Sequence, residues 1–176
     1  MLINVVKSQS GEARELRALF EKQLKELYWA EQAMIHSIAN VAEETSSKDI
    51  VEVLNAHRQE TIWHVARLEK IFGIAGIPVE ELRYKAVECL LTECNELIDN
   101  TKRGVVRDAG IIAVLQKIKH YEIACYGTMR AYAIALREEE AVTLLEETLE
   151  EEKDVDLELS NIAEAHINIE AADKEI

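Results

Sequence analysis

Helix breakers are almost missing from this chain, and no other feature constrains its fold as much. One proline and six glycines are spread over 176 residues. Proline removes a backbone donor, and glycine costs about 1 kcal/mol in a helix interior. Long stretches free of both let helices run on uninterrupted. A β-sandwich or barrel would need frequent turn signals and more aromatic residues, which make up only 5% here. Hydrophobic residues, at 48%, are too many for a disordered acidic tail. The expectation is an all-α fold: a single domain over residues 1–176, with its core at about residues 12–165.

The few breaks divide the chain into five helical runs. The first spans residues 12–44, with Ser10 as its N-cap, and the Thr45-Ser46-Ser47 cluster ends it and offers the next cap. The second spans 48–72 and stops at Gly73, Gly76 and Pro78. A shorter third covers 79–98, before the break from Asp99 to Gly104. The fourth spans 105–136. The acidic turn Arg137-Glu138-Glu139-Glu140 opens the fifth, which reaches about residue 165, and a frayed tail follows. Apolar residues recur in alternating threes and fours along the four long runs, the pattern of helices packed around one core. The third run then reads as a short connecting helix between two antiparallel hairpins.

Ionisable residues interrupt these seams where leucine would be expected. Glu31 breaks the row Leu24, Leu27, Met34, Ile38, Val41. Glu122 breaks the row Leu115, Ile118, Cys125, Met129. Glu60 and His64 lie one turn apart on the second helix, as do Glu152 and Asp156 on the fifth. A buried carboxylate must stay protonated or find a cation. Several carboxylates converging from four helices call for shared positive charge, and oxygen ligands with an imidazole suit iron or manganese. The offset from Glu31 to Glu122 is 91 residues and that from Glu60 to Glu152 is 92, so the hairpins look like two copies of one design. The candidate ligands of two divalent metals, iron first and manganese second, are therefore Glu31, Glu60, His64, Glu122, Glu152 and Asp156. Other readings compete. Most acidic side chains on helices are simply solvated. Glu151 rivals Glu152 within an acidic run. His57 is either a ligand or a partner that orients Glu60. Asp156 has Lys153 as another partner. Gly127 either permits close helix contact or leaves space beside the site.

The remaining composition narrows the function. With 20 Lys+Arg against 34 Asp+Glu, the net charge of −14 repels phosphates, so neither nucleic acid nor an anionic membrane is an expected partner. No apolar run is long enough to span a bilayer. The N-terminus lacks the pattern of a signal peptide. Cys89, Cys94 and Cys125 are odd in number and sit in apolar helical patterns, as small buried hydrophobes in a reducing compartment would. Cytoplasmic localisation is the expectation.

Five stretches stand out: Leu27-Tyr28-Trp29-Ala30-Glu31, His57-Arg58-Gln59-Glu60-Thr61, Val106-Arg107-Asp108-Ala109, the block from His120 to Thr128, and the block from Leu145 to Lys153. Together they resemble the YciE/YciF family of bacterial stress-associated, ferritin-like proteins. The resemblance extends from about residue 16 to residue 163. It implies a ferritin-like four-helix bundle similar to rubrerythrin and manganese catalase, a homodimer, a carboxylate-bridged di-metal site and a link to stress. It implies no defined reaction; ferrous oxidation or reduction of peroxide or dioxygen, with an unidentified redox partner, would suit such a site. The alternative is a structural or protein-binding homodimer with a vestigial site. One departure favours that alternative. The wider superfamily uses Glu-x-x-His, whereas Trp63 and Val155 stand at the third positions here, with His64 and Asp156 at the fourth.

Overall fold

The computed structural model describes residues 15–174. The helices are α1 (Leu16–Glu44), α2 (Lys48–Ala75), α3 (Lys85–Asn100), α4 (Val105–Leu136) and α5 (Glu139–Ile162). A π-helical turn, Ala163–Ile167, leads on into the short α6 (Asn168–Asp173). Ser10, expected to cap α1, lies outside the described residues.

Short connections make two antiparallel hairpins. Three residues join α1 to α2, and Arg137 and Glu138 join α4 to α5. Arg137 takes the left-handed conformation (φ 61°) that ends α4 sharply. The hairpins close on each other, α2 against α5 and α1 against α4. Arg17 pairs with Glu138 and Arg107 with Glu44, so α1 and α4 also run antiparallel. That leaves α2 and α4 pointing the same way, and the chain must return along the bundle between them. Residues 77–84 and α3 make this crossover.

The crossover accounts for two departures from the sequence reading. Helix α2 continues past Gly73 to Ala75 and ends at Gly76, whose left-handed backbone (φ 64°) directs its N–H to Gly73 and Phe72 carbonyls. Helix α3 begins at Lys85 rather than near residue 79, because the preceding stretch is tied to α1. The Leu82 N–H donates to the Lys25 carbonyl (3.2 Å), and Lys25 pairs with Glu80. The tail differs too. It is helical to Asp173, with Ala163 and Ile167 buried in the core and Ala171 packed against it. An apolar face docked on the chain's own core replaces the frayed end.

The start of α4 holds two turns of the fold together. Buried Asp108 accepts hydrogen bonds from Ser46 N–H (2.9 Å), Ser47 N–H (2.9 Å) and the Ser46 hydroxyl (2.5 Å). The entrance to α2 is thus capped by a carboxylate from another helix, and Ser47 makes no side-chain cap bond of its own. Its neighbour Arg107 binds Glu44 (2.5 Å), the Ile98 carbonyl (3.0 Å) and the Thr101 carbonyl.

Two glycines on α4 differ in what surrounds them. A Cβ on Gly110 would meet Leu97 Cδ1 at 2.8 Å, so Gly110 permits the close approach of α3. A Cβ on Gly127 would have nothing within 4 Å. Gly127→Ala should therefore stabilise the protein by about 0.5–1 kcal/mol through helix propensity alone. Urea unfolding followed by circular dichroism reads this, and a loss of stability would show that the space beside Gly127 matters.

The bundle core consists of two apolar halves. Phe20, Leu24, Leu68, Phe72, Met129 and Leu145 belong to one. Ile38, Ile50, Ile111, Leu115, Ile118 and Leu159 belong to the other. Between them, in the middle of all four long helices, lies a polar layer.

Candidate metal centre

Six ionisable side chains form this layer: Glu31 from α1, His57 and His64 from α2, Lys119 and Glu122 from α4, and Glu152 from α5. None is more than 2% exposed. Each is flanked along its helix by buried apolar residues, such as Leu27 and Met34 around Glu31 or Leu149 and Val155 around Glu152. The apolar seams thus bury the charges, and the charges must satisfy one another.

They divide into two groups that share Glu152. In the first, His64 Nδ1 lies 3.4 Å from Glu31 Oε2 and 3.3 Å from Glu152 Oε1. None of these three inward-facing atoms has a hydrogen-bond partner. The outer atoms are held in place. Tyr126 donates its hydroxyl to Glu31 Oε1 (2.5 Å), and His64 Nε2 meets Glu151 Oε2 at 2.9 Å. Arg67 fixes Glu151 through both guanidinium nitrogens and reaches Glu147 as well. With Nε2–H donated to a carboxylate, the Nδ1 lone pair points into the gap, the usual orientation of a metal-binding histidine.

The second group surrounds a lysine. Lys119 Nζ lies 2.6 Å from His57 Nε2, 2.6 Å from Glu152 Oε2 and 2.5 Å from Glu122 Oε2. Burial opposes its charge, but Glu122 and Glu152 more than offset that and hold the ammonium above its ordinary range. The other ionisations follow from this arrangement. Burial and then the Lys119 charge push His57 down, which keeps it neutral. Burial and then the Glu152 charge push Glu122 well above the usual carboxylate range. Burial acts on Glu152 in the same sense, but Lys119, His57 and His64 outweigh it and hold that carboxyl well below the range. For His64 without a metal, burial is outweighed by the Glu31 charge and by its contacts with Glu151 and Glu152, so the imidazole is pushed up to about 11, and a metal at Nδ1 would displace a proton.

Among the described residues, two sets of buried groups could each hold a metal ion on geometry: Glu31, His64 and Glu152, and His57, Glu122 and Glu152. Of the six residues singled out from the sequence, Glu31, His64, Glu122 and Glu152 meet in the layer. The other two stand at its edges. Glu60 Oε2 lies 3.5 Å from His57 Nδ1, with its side chain 30% exposed. Asp156 Oδ1 lies 3.2 Å from His120 Nδ1. Their place on the helix explains this: Thr61 and Val155 take the inward stripe, turning Glu60 and Asp156 to the flanks. Sequence reasoning passed over Lys119, Tyr126 and Arg67. The one signal for Lys119 was a charge in the apolar seam one turn before Glu122. Cys125 lines a surface pocket with Tyr84 and Tyr121, and burial pushes its thiol up to about 11, so thiolate is scarce. Cys94 is buried as expected, whereas Cys89 is exposed on the outer face of α3.

A family model for a domain of unknown function, DUF892, matches residues 15–172. The chain belongs to the DUF892 family. Protein YciF of Escherichia coli is 35% identical over 162 residues, 92% of this chain and 98% of that protein. The crystal structure of the E. coli stress protein YciF superposes with a TM-score of 0.85 over 88% of this chain and 98% of that one. YcfI from Rhodopseudomonas palustris gives 0.83 at 29% identity, covering 87% of this chain and 98% of that one. A Xanthomonas campestris protein, 18% identical, gives 0.74 over 92% of this chain and 99% of that one and shares the fold. This DUF892 member is a ferritin-like helical bundle. No helix among its described residues is long and apolar enough to cross a membrane.

Proposed function

We propose that this DUF892 protein binds a divalent transition metal through Glu31, His64 and Glu152; its relative YciF is called a stress protein, and the same proposal places this chain in a stress response. One observation carries the metal reading: Glu31 Oε2, Glu152 Oε1 and His64 Nδ1 face one gap, buried and without hydrogen bonds. Leaving three such atoms unsatisfied is costly unless a cation gathers them. Two carboxylates and an imidazole suit iron or manganese. Such an ion would supply one-electron exchange with peroxide or dioxygen. The chain's own residues orient the ligands: Tyr126 holds Glu31, the Glu151–Arg67 pair holds His64, and the two apolar halves limit access of water. A cytoplasmic homodimer belongs to the same proposal. Half-exposed Trp63 and neighbouring Ile62 on α2 offer apolar area for the contact, and sedimentation of the purified protein tests it.

A second reading has its own support. Lys119 and a protonated His64 are cations supplied by the protein, and together they offset carboxylate charge without any metal. The bundle would then be structural. Metal content separates the two readings. Protein purified without a histidine tag, reconstituted with ferrous or manganous ion and desalted, should retain at least one metal per chain. At 100 times the dissociation constant, the metal adds about 2.7 kcal/mol of stability, raising the melting temperature by roughly 5–10 °C. Glu31→Gln should lose both effects. No retained metal and an unchanged melting temperature would leave the structural reading standing.

A further inference from the structure

Lys119 changes what the layer can hold. Its Nζ sits within 2.5–2.6 Å of His57 Nε2, Glu122 Oε2 and Glu152 Oε2. These three residues are also the second set whose geometry could hold a metal. The ammonium makes hydrogen-bond contacts with His57 and Glu152 and an ion pair with Glu122, so all three groups close on it. A metal at this position would bind the same three atoms at about 2.0–2.2 Å, in space the nitrogen fills.

We propose that Lys119 is the resident cation of the second position, so that the centre takes one divalent metal beside an ammonium instead of a metal pair. The proposal rests on the metal reading above and specifies its stoichiometry. Charge argues the same way as space. Even if Glu31, Glu122 and Glu152 were all ionised, one ammonium and one divalent ion would already cancel their three negative charges. A second divalent ion would leave uncompensated positive charge in a layer where no residue is more than 2% exposed. Lys119 has no ready way out, since it lies in the middle of α4 with its side chain 1% exposed. Glu152 is the pivot, presenting Oε1 to the His64 gap and Oε2 to the ammonium. It would bridge a metal and a lysine, as a carboxylate in a di-metal site bridges two ions.

Manganese(II) is a suitable probe, because an isolated ion gives a six-line paramagnetic resonance spectrum and a closely coupled pair does not. The full chain, stripped of metal and loaded with manganese(II), should bind one ion per chain with the isolated-ion spectrum. Lys119→Ala should bind two, with a coupled spectrum, and should gain more in melting temperature from manganese than the wild type does. Two ions in the wild type would overturn the lysine assignment and leave the metal reading intact. A single ion in Lys119→Ala would also overturn the assignment. No ion in the wild type would overturn the metal reading itself. If Lys119→Ala folds poorly, Lys119→Glu, which replaces the cation with a further carboxylate, should take up the second ion, and failure to do so counts against the assignment.

Discussion

Glu152→Gln should destabilise the metal-free protein by about 3–5 kcal/mol, more than the same change at any other carboxylate of the layer. Glu152 serves both halves of the centre. Its Oε2 receives the Lys119 ammonium at 2.6 Å, and its Oε1 faces His64 at 3.3 Å. Removing its charge while keeping its shape takes one counter-charge from each of two buried cations, leaving Lys119 with Glu122 and His64 with Glu31 and Glu151, and opens no cavity. The loss therefore measures electrostatic compensation alone. Chemical denaturation in the presence of a chelator, followed by circular dichroism, reads it. The matching control is Glu60→Gln at the edge of the layer, where the side chain is 30% exposed and faces His57 at 3.5 Å. That change should cost less than about 1 kcal/mol. A loss below 1 kcal/mol for Glu152→Gln would mean that the charges in the layer do not depend on one another.

The second large effect is expected far from the centre. Asp108→Ala should cost about 3 kcal/mol, because it removes the acceptor for two backbone N–H groups and a hydroxyl at the entrance to α2. A cap supplied within a helix is worth about 1 kcal/mol; here one carboxylate also fastens α4 to the α1–α2 turn. Asp108→Asn retains one acceptor oxygen but turns a donor towards another donor, and should fall between Ala and the wild type. Because this site lies outside the polar layer, Asp108→Ala should leave the number of bound metals unchanged. Altered metal content in that variant would show that this end of the bundle is coupled to the centre.

Local pattern made most of the helices readable. Alternating apolar threes and fours, with few breakers, place α1, α2, α4 and α5 to within a few residues. Residues 77–84 could not be read this way, because the Leu82–Lys25 bond that holds them off the helix joins positions 57 apart in the chain. The tail misled for a similar reason, since Ile167 is buried only by partners from distant helices. In the centre, Glu31 and Glu122 stood out as acids in leucine positions. His57 and Glu60 lie one turn apart, and heptad spacing cannot decide which faces inward; neighbouring Thr61 takes the inner stripe and settles it. Lys119 was overlooked because a lysine in a helix usually reaches water along its long stem. Only the convergence of Glu122, Glu152 and His57 shows that this one does not.

The polar layer also determines the register of the hairpins. Each long helix carries apolar residues on both sides of its charged position, so one hairpin could slide a heptad along the other and still bury leucine against leucine. Such a slip would set Glu122 and Lys119 of α4 against the apolar level of α1 around Ile38, with no opposite charge in reach. The interlocking charges therefore favour one alignment of the two halves, much as a single polar residue pins the stagger of a coiled coil.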